Sequence, residues 1–237
     1  MSRFRFFPIL FLIVLSAQVV FAQDPSEQDA VASALAKYYP NLQSAQINPT
    51  PISGIYEVVV DNNEIVYFSP ATGLIFVGDL WTPDSRNLTR ESKDRLLSEK
   101  IKLFPLDKAI KIGDGPNQVI EVTDPDCPFC RHGSAFFENR TDVTRYVFLY
   151  PLDKIHPHAE AKARYILSAA NPAEAYEKVF SGAYDNQPLP AFTDNGMLEL
   201  HRRIGREVGI TGTPQYWING HHLSGFNQQQ VEQLLNK

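Results

Sequence analysis

The 237-residue chain has only two cysteines, and both fall in the stretch Thr123-Asp124-Pro125-Asp126-Cys127-Pro128-Phe129-Cys130-Arg131-His132. Without a third cysteine the chain has no second intramolecular disulfide, and it cannot build a cysteine-rich zinc cluster. Basic residues are outnumbered, with 22 Lys+Arg against 27 Asp+Glu. Phosphate binding needs a basic surface, so a nucleic-acid partner is not expected. Beyond residue 22 no run is apolar enough to span a bilayer, which takes about 20 residues of helix. Internal repeats and low-complexity tracts are also missing, which sets aside a solenoid.

The first residues do carry an apolar run. Arg3 and Arg5 precede Phe6 to Val20, and Val20-Phe21-Ala22 offers small residues at cleavage spacing. This is the three-part pattern of a secretory signal peptide, residues 1–22, with cleavage expected after Ala22. The run is short for an anchor and contains Pro8 and Gln18. Residues 23 onward then hold 20 Lys+Arg against 27 Asp+Glu, a net charge of −7. An exported location is oxidising, so a nearby cysteine pair closes unless something keeps it reduced.

About 215 residues past the signal exceed the usual size of one domain, which calls for one large or two modest ones. The spacing of Val31, Leu35 and Tyr38 predicts a helix over 25–39, stopped at Pro40-Asn41. Three short β-rich runs follow at 55–60, 64–68 and 73–80, separated by turn residues, and imply an antiparallel meander. One helix on such a sheet makes a thin core that benefits from a partner, and edge strands offer the docking site. Residues 88–102 are helix-prone and heavily charged, the pattern of a solvent-exposed or domain-bridging linker ending at Phe104-Pro105.

From residue 106 the pattern alternates. Strands are predicted over 109–112, 119–123 and 145–150, with a helix from about Cys127 to Asn139. Helical segments are predicted over 158–180 and 192–208. Asn219-Gly220 between residues 215–218 and 221–224 is the strongest hairpin signal in the chain. Asn227 and Gln230 cap a last helix through Leu235.

The cysteine pair has four readings. As a staple it is weak, because loop entropy gives a four-residue loop only about 2 kcal/mol. A zinc site would need two further ligands from histidines such as His132, His156 or His158. Haem attachment would require His at 131, where Arg131 stands. The redox reading suits the context best. A helix N-terminus at Cys127 stabilises a thiolate, and Pro128 suits a position whose N–H lacks an intrahelical partner. Cys130, one turn further in, would resolve a mixed disulfide formed on Cys127.

The strand, the motif Cys127-Pro128-Phe129-Cys130 and the run Gly212-Thr213-Pro214 before a hairpin resemble a thioredoxin-fold oxidoreductase. With a small β-rich domain and a charged helix in front, the whole exported chain is similar to the periplasmic disulfide isomerases of the DsbC/DsbG family. The resemblance implies an α+β dimerisation domain at 23–82, a linker helix at 83–105 and an α/β thioredoxin-like domain with a helical insertion at 106–237. It implies a cis peptide at Pro214, with Thr213, Pro214, Pro128 and Phe129 facing substrate. Cys127 and Cys130 form the redox-active disulfide, and no metal or cofactor is expected. Glu121, six positions before Cys127 in an apolar strand, matches a buried acid that accepts the Cys130 proton; the alternative is a solvent-facing strand glutamate. His132 is either a neighbour that tunes Cys127 or an exposed helix residue, and His221-His222 reads as an ordinary strand pair.

The implied partners are misoxidised or unfolded exported clients, a second copy of the chain joined through 23–82, and a DsbD-like membrane thiol reductase as electron donor. Pro128-Phe129 is nearer the Pro-Tyr of DsbG than the Gly-Tyr of DsbC. A DsbG-like reductase of sulfenylated cysteines and a holdase chaperone with secondary redox activity therefore stand as alternatives to an isomerase.

Overall fold

The computed structural model of the chain describes residues 25–42 and 45–236. The expected signal peptide, residues 1–22, lies outside them. Helix α1 (Pro25–Tyr38) sets Val31 and Leu35, one turn apart, onto an antiparallel sheet. That sheet runs β1 (Gln46–Pro49), β2 (Tyr56–Val59), β3 (Ile65–Ser69), β4 (Leu74–Phe76) in spatial order. Its core joins the α1 residues to Ile47, Tyr56, Val58 and Phe68. The predicted meander is there with one strand more than expected. In β1 the sequence Gln-Ile-Asn-Pro has a single apolar residue and so no alternation to detect. Pairing of Ile47 with Val58 holds it in place. At the opposite edge β4 leaves Leu74 and Phe76 exposed.

Asn87 caps helix α2 (Leu88–Ser98) by accepting from Arg90 N at 2.8 Å, and a 3₁₀ turn over Glu99–Leu103 follows. This helix bridges the two sheets instead of standing in solvent. Leu97 and Ile101 join Phe104, Phe148 and Trp217 in one apolar cluster, and Trp217 Nε1 donates to Leu97 O at 2.7 Å.

The remaining strands are β5 (Ile110–Ile112), β6 (Asn117–Thr123), β7 (Val143–Leu149), β8 (Gln215–Ile218) and β9 (His221–Ser224). They form a sheet ordered β5-β7-β6-β8-β9, parallel only between β6 and β7. That parallel pair needs a crossover, supplied by α3 (Pro128–Phe137). Central strand β6 is covered on both faces. Ile120 and Val122 meet Phe104, Phe148 and Trp217 beneath α6 (Met197–Val208). The alternate residues Val119, Glu121 and Thr123 point to the other face, as period two requires. There Val119 packs with Phe137, Tyr216 and Val231 of α7 (Gln228–Leu235). Burial of each such side chain contributes roughly 1.5–3 kcal/mol.

The predicted helix over 158–180 is two helices, α4 (Ala159–Ser168) and α5 (Pro172–Phe180). Pro172 cannot continue the first helix but suits the first turn of the second. Asn171 caps that turn by accepting from Glu174 N at 3.3 Å. The next helix starts at Met197, five residues later than predicted, where Gly196 sits at φ 75°. Among the described residues no helix is long and apolar enough to cross a membrane.

Candidate active site

Strand β6 ends at Thr123 and the chain turns through Asp124-Pro125-Asp126 to Cys127, the N-cap of α3. The buried Asp124 carboxylate organises this turn. Its Oδ1 accepts from Asp126 N at 2.8 Å, while Oδ2 accepts from Leu152 N at 2.7 Å and meets His156 Nδ1 at 2.9 Å. Pro128 takes the first helical position, where its missing N–H is no loss. Gly133 lets α3 lie close on β8, because a Cβ there would stand 2.1 Å from the Tyr216 hydroxyl.

The two thiols of this reduced pair differ sharply. Cys130 is fully buried, and burial pushes its pKa well above the ordinary thiol value; its hydrogen bond to Cys127 pushes the same way. Asp124 N donates to its Sγ at 3.4 Å. The Cys127 pKa is lowered to about 6. The largest cause is the hydrogen bond from Cys130. Burial opposes it, while the backbone N–H groups of Cys130 and Phe129 and the Thr213 side chain assist. Oriented N–H groups at a helix start favour an anion, which makes Cys127 the thiolate at neutral pH.

The Thr213–Pro214 peptide is cis, as the resemblance implies. It brings the Thr213 carbonyl oxygen to 3.6 Å from Cys127 Sγ. Pro214 is buried, while Pro128 and Phe129 are exposed, Phe129 at 67%. Of the four residues expected to face substrate, Thr213 lies against the Cys127 sulfur, Pro214 follows it across the cis bond, and Pro128 and Phe129 follow Cys127 at the helix start. Thr123 and Thr213 each bring a buried hydroxyl to this site, and both tend to lower the Cys130 pKa.

Glu121 is fully buried, which sets aside the solvent-facing alternative. Its carboxylate is occupied. Arg145 donates to Oε2 from Nη2 at 2.8 Å and from Nε at 3.2 Å, and the Tyr176 hydroxyl donates to Oε1 at 3.1 Å. Sequence reasoning placed Arg145 at the start of a buried strand but gave it no partner. The signal was a charged residue opening an apolar run, and the β6–β7 register puts it diagonal to Glu121.

A second missed group ties the active-site turn to the helical insertion. Arg131 Nε donates to Pro125 O at 2.7 Å, and its guanidinium meets Asp126 and Asp185. Lys162 reaches the same two carboxylates at 2.6 and 2.7 Å. His132 is exposed, with its ring 5.0 Å from that of Phe226. His156 is committed to Asp124, and the described residues hold no cluster of three or more His, Cys, Asp or Glu arranged for a metal.

Two family models match this chain. Residues 21–90 match the disulfide bond isomerase protein N-terminal domain, and residues 104–237 match a thioredoxin-like domain. A probable thiol:disulfide interchange protein DsbC of Bordetella avium is 30% identical over 205 residues, covering 85% of this chain and 71% of its own. The chain belongs to the DsbC family of thiol:disulfide interchange proteins. The Bordetella parapertussis member is 28% identical over 86% of this chain and 72% of its own. A crystal structure of a disulfide interchange protein from Neisseria gonorrhoeae superposes with a TM-score of 0.50 at 33% identity, over 56% of this chain and 96% of that one. The family is one of thioredoxin-fold oxidoreductases, so thiol–disulfide interchange is the chemistry to which the Cys127–Cys130 geometry belongs.

Proposed function

We propose that this chain is an exported, periplasmic isomerase of non-native disulfides, with Cys127 as nucleophile and Cys130 as resolving thiol. The observation that carries this reading is the contrast between the two thiols: the Cys127 pKa is lowered to about 6, whereas burial holds that of Cys130 well above the ordinary thiol value. The Cys127 thiolate attacks one sulfur of a misplaced client disulfide and releases the other as a thiolate, leaving a mixed disulfide. Another client thiol displaces Cys127 and completes isomerisation. If Cys130 displaces the client instead, the client leaves reduced and Cys127–Cys130 is oxidised. A DsbD-like membrane thiol reductase must then return two electrons.

Phe129 and the Thr213-Pro214 loop form the client contact, with the extended client chain lying along the loop backbone. Glu121 is the proton acceptor for Cys130, acting as the basic member of its buried group with Arg145 and Tyr176. Residues 23–82 join two copies, leaving 83–105 as linker and 106–237 as the catalytic domain. In support, edge strand β4 and the chain after it expose Leu74, Phe76, Val77 and Trp81.

Reactivation of scrambled ribonuclease, measured beside reduction of a sulfenylated cysteine, tests the reading. Isomerisation predicts ribonuclease recovery that is lost in Cys127→Ala. Reduction of the sulfenic acid alone would move the chain to a DsbG-like role. Full client rescue by Cys127→Ala would make it a holdase.

A further inference from the structure

Helix α2 reaches the active-site loop through three side chains. Asp94 of α2 bonds His222 Nδ1 at 2.8 Å through its Oδ1. His222 Nε2 lies 2.9 Å from Gln215 Oε1. Gln215 Nε2 then donates to Gly212 O at 2.9 Å, and Gly212 precedes Thr213 directly. Asp94 and Gly212 lie far apart in sequence, on different elements, yet only His222 and Gln215 separate them in space. The chain is built in. The His222 side chain is wholly buried, its ring packs on Trp217 at 4.6 Å, and its backbone N donates to Ser98 Oγ of α2 at 2.9 Å. The orientation of the Gln215 amide follows from its neighbours. Gly212 O is an acceptor and needs the NH₂ end, which leaves the oxygen for the ring.

No other side chain hydrogen bond reaches Gly212 O among those described, so Gln215 restrains the backbone just before the residue that faces Cys127. Facing two acceptors, His222 passes this restraint to α2 by donating from both ring nitrogens, Nδ1–H to Asp94 and Nε2–H to Gln215. We propose that Asp94, His222 and Gln215 are positioning residues for thiol–disulfide interchange: they make the linker helix part of the client-binding wall. This deepens the proposed function and rests on it, since a client chain must lie along the Thr213 backbone for the restraint to act. A loop held in its binding conformation spares the client the cost of ordering it, so the effect falls on client binding and not on sulfur chemistry.

Steady-state reduction of a disulfide-bonded peptide by the full chain, with a chemical reductant in excess, tests this. Gln215→Glu is the decisive variant: its carboxylate still accepts at His222, but it has no donor for Gly212 O. It should raise KM about fivefold, the size of one hydrogen bond, with kcat changed less than twofold. Asp94→Ala should shift KM the same way, and Asp94→Glu should restore it. Thermal unfolding identifies any variant that has lost its fold, and Gln215→Glu keeps the test open if Asp94→Ala has. Wild-type KM in folded Gln215→Glu overturns the inference, as does an equal fall in kcat. A wild-type chain that reduces no peptide disulfide would instead overturn the proposed function.

Discussion

Cys127 Sγ lies 3.6 Å from the Thr213 carbonyl oxygen, though 86 positions separate the two residues. A carbonyl favours the protonated thiol, whereas the Cys130 hydrogen bond and the N–H groups of Phe129 and Cys130 favour the anion. The donors prevail. At pH 7 a group with a pKa of about 6 is about nine-tenths ionised.

Removing the largest cause tests that balance. In Cys130→Ala the midpoint of the 240 nm thiolate titration should rise from about 6, and an unchanged midpoint would mean that the helix start acts alone. The sign for stability follows from linkage. Between pH 6 and the unfolded thiol value of about 8.5, the unfolded chain holds a proton that native Cys127 has lost. Reduced protein should therefore gain stability as pH rises through that window, and Cys127→Ala should not.

Arg145 and Glu121 form a buried ion pair, so removing one partner strands the other. Arg145→Met should cost about 3–5 kcal/mol in urea unfolding, and the double variant with Glu121→Leu should recover much of it. Additive losses would show that the pair is not coupled.

The pair also shows what the sequence could and could not convey. A lone acid in apolar β6 raised two readings for Glu121, a buried acid implied by the resemblance and a solvent-facing one, and its burial decides between them. Its partners Arg145 and Tyr176 lie 24 and 55 residues away and become neighbours only through strand register and helix packing. The cysteine motif and the Asn-Gly hairpin are local and sit where the sequence puts them, while the cis peptide at Pro214 came from the family resemblance and not from the dipeptide. His222 read as an ordinary strand residue because Asp94, its partner, is 128 positions away. Strand β1 and the break at Pro172 went unread for a different reason: one had too little pattern, and the other had a proline whose helix-starting role depends on Asn171.

His201 is buried and neutral in its bonding: Leu149 N donates to Nδ1, and Nε2 donates to Lys108 O at 2.9 Å. Burial lowers its pKa. Below the unfolded histidine value of about 6.5 the unfolded chain takes up a proton that the native state refuses, so stability falls with pH by up to about 1.4 kcal/mol per unit. Melting temperatures between pH 8 and 5 should drop more steeply for wild type than for His201→Gln. Parallel curves would contradict this.

Deleting residues 23–82 should leave a folded, redox-active monomer in sedimentation experiments. A truncated chain that still sediments as a dimer would move the proposed interface away from β4 and the exposed Leu74, Phe76, Val77 and Trp81.

The most direct test of the account traps the first covalent step. Cys130→Ala, mixed with scrambled ribonuclease at pH 7 and quenched with acid, should carry the client in a disulfide that peptide mass mapping places on Cys127. Cys127→Ala should carry none. An adduct that forms equally on Cys130 in Cys127→Ala, or none in either variant, would contradict the assignment of nucleophile and resolving thiol.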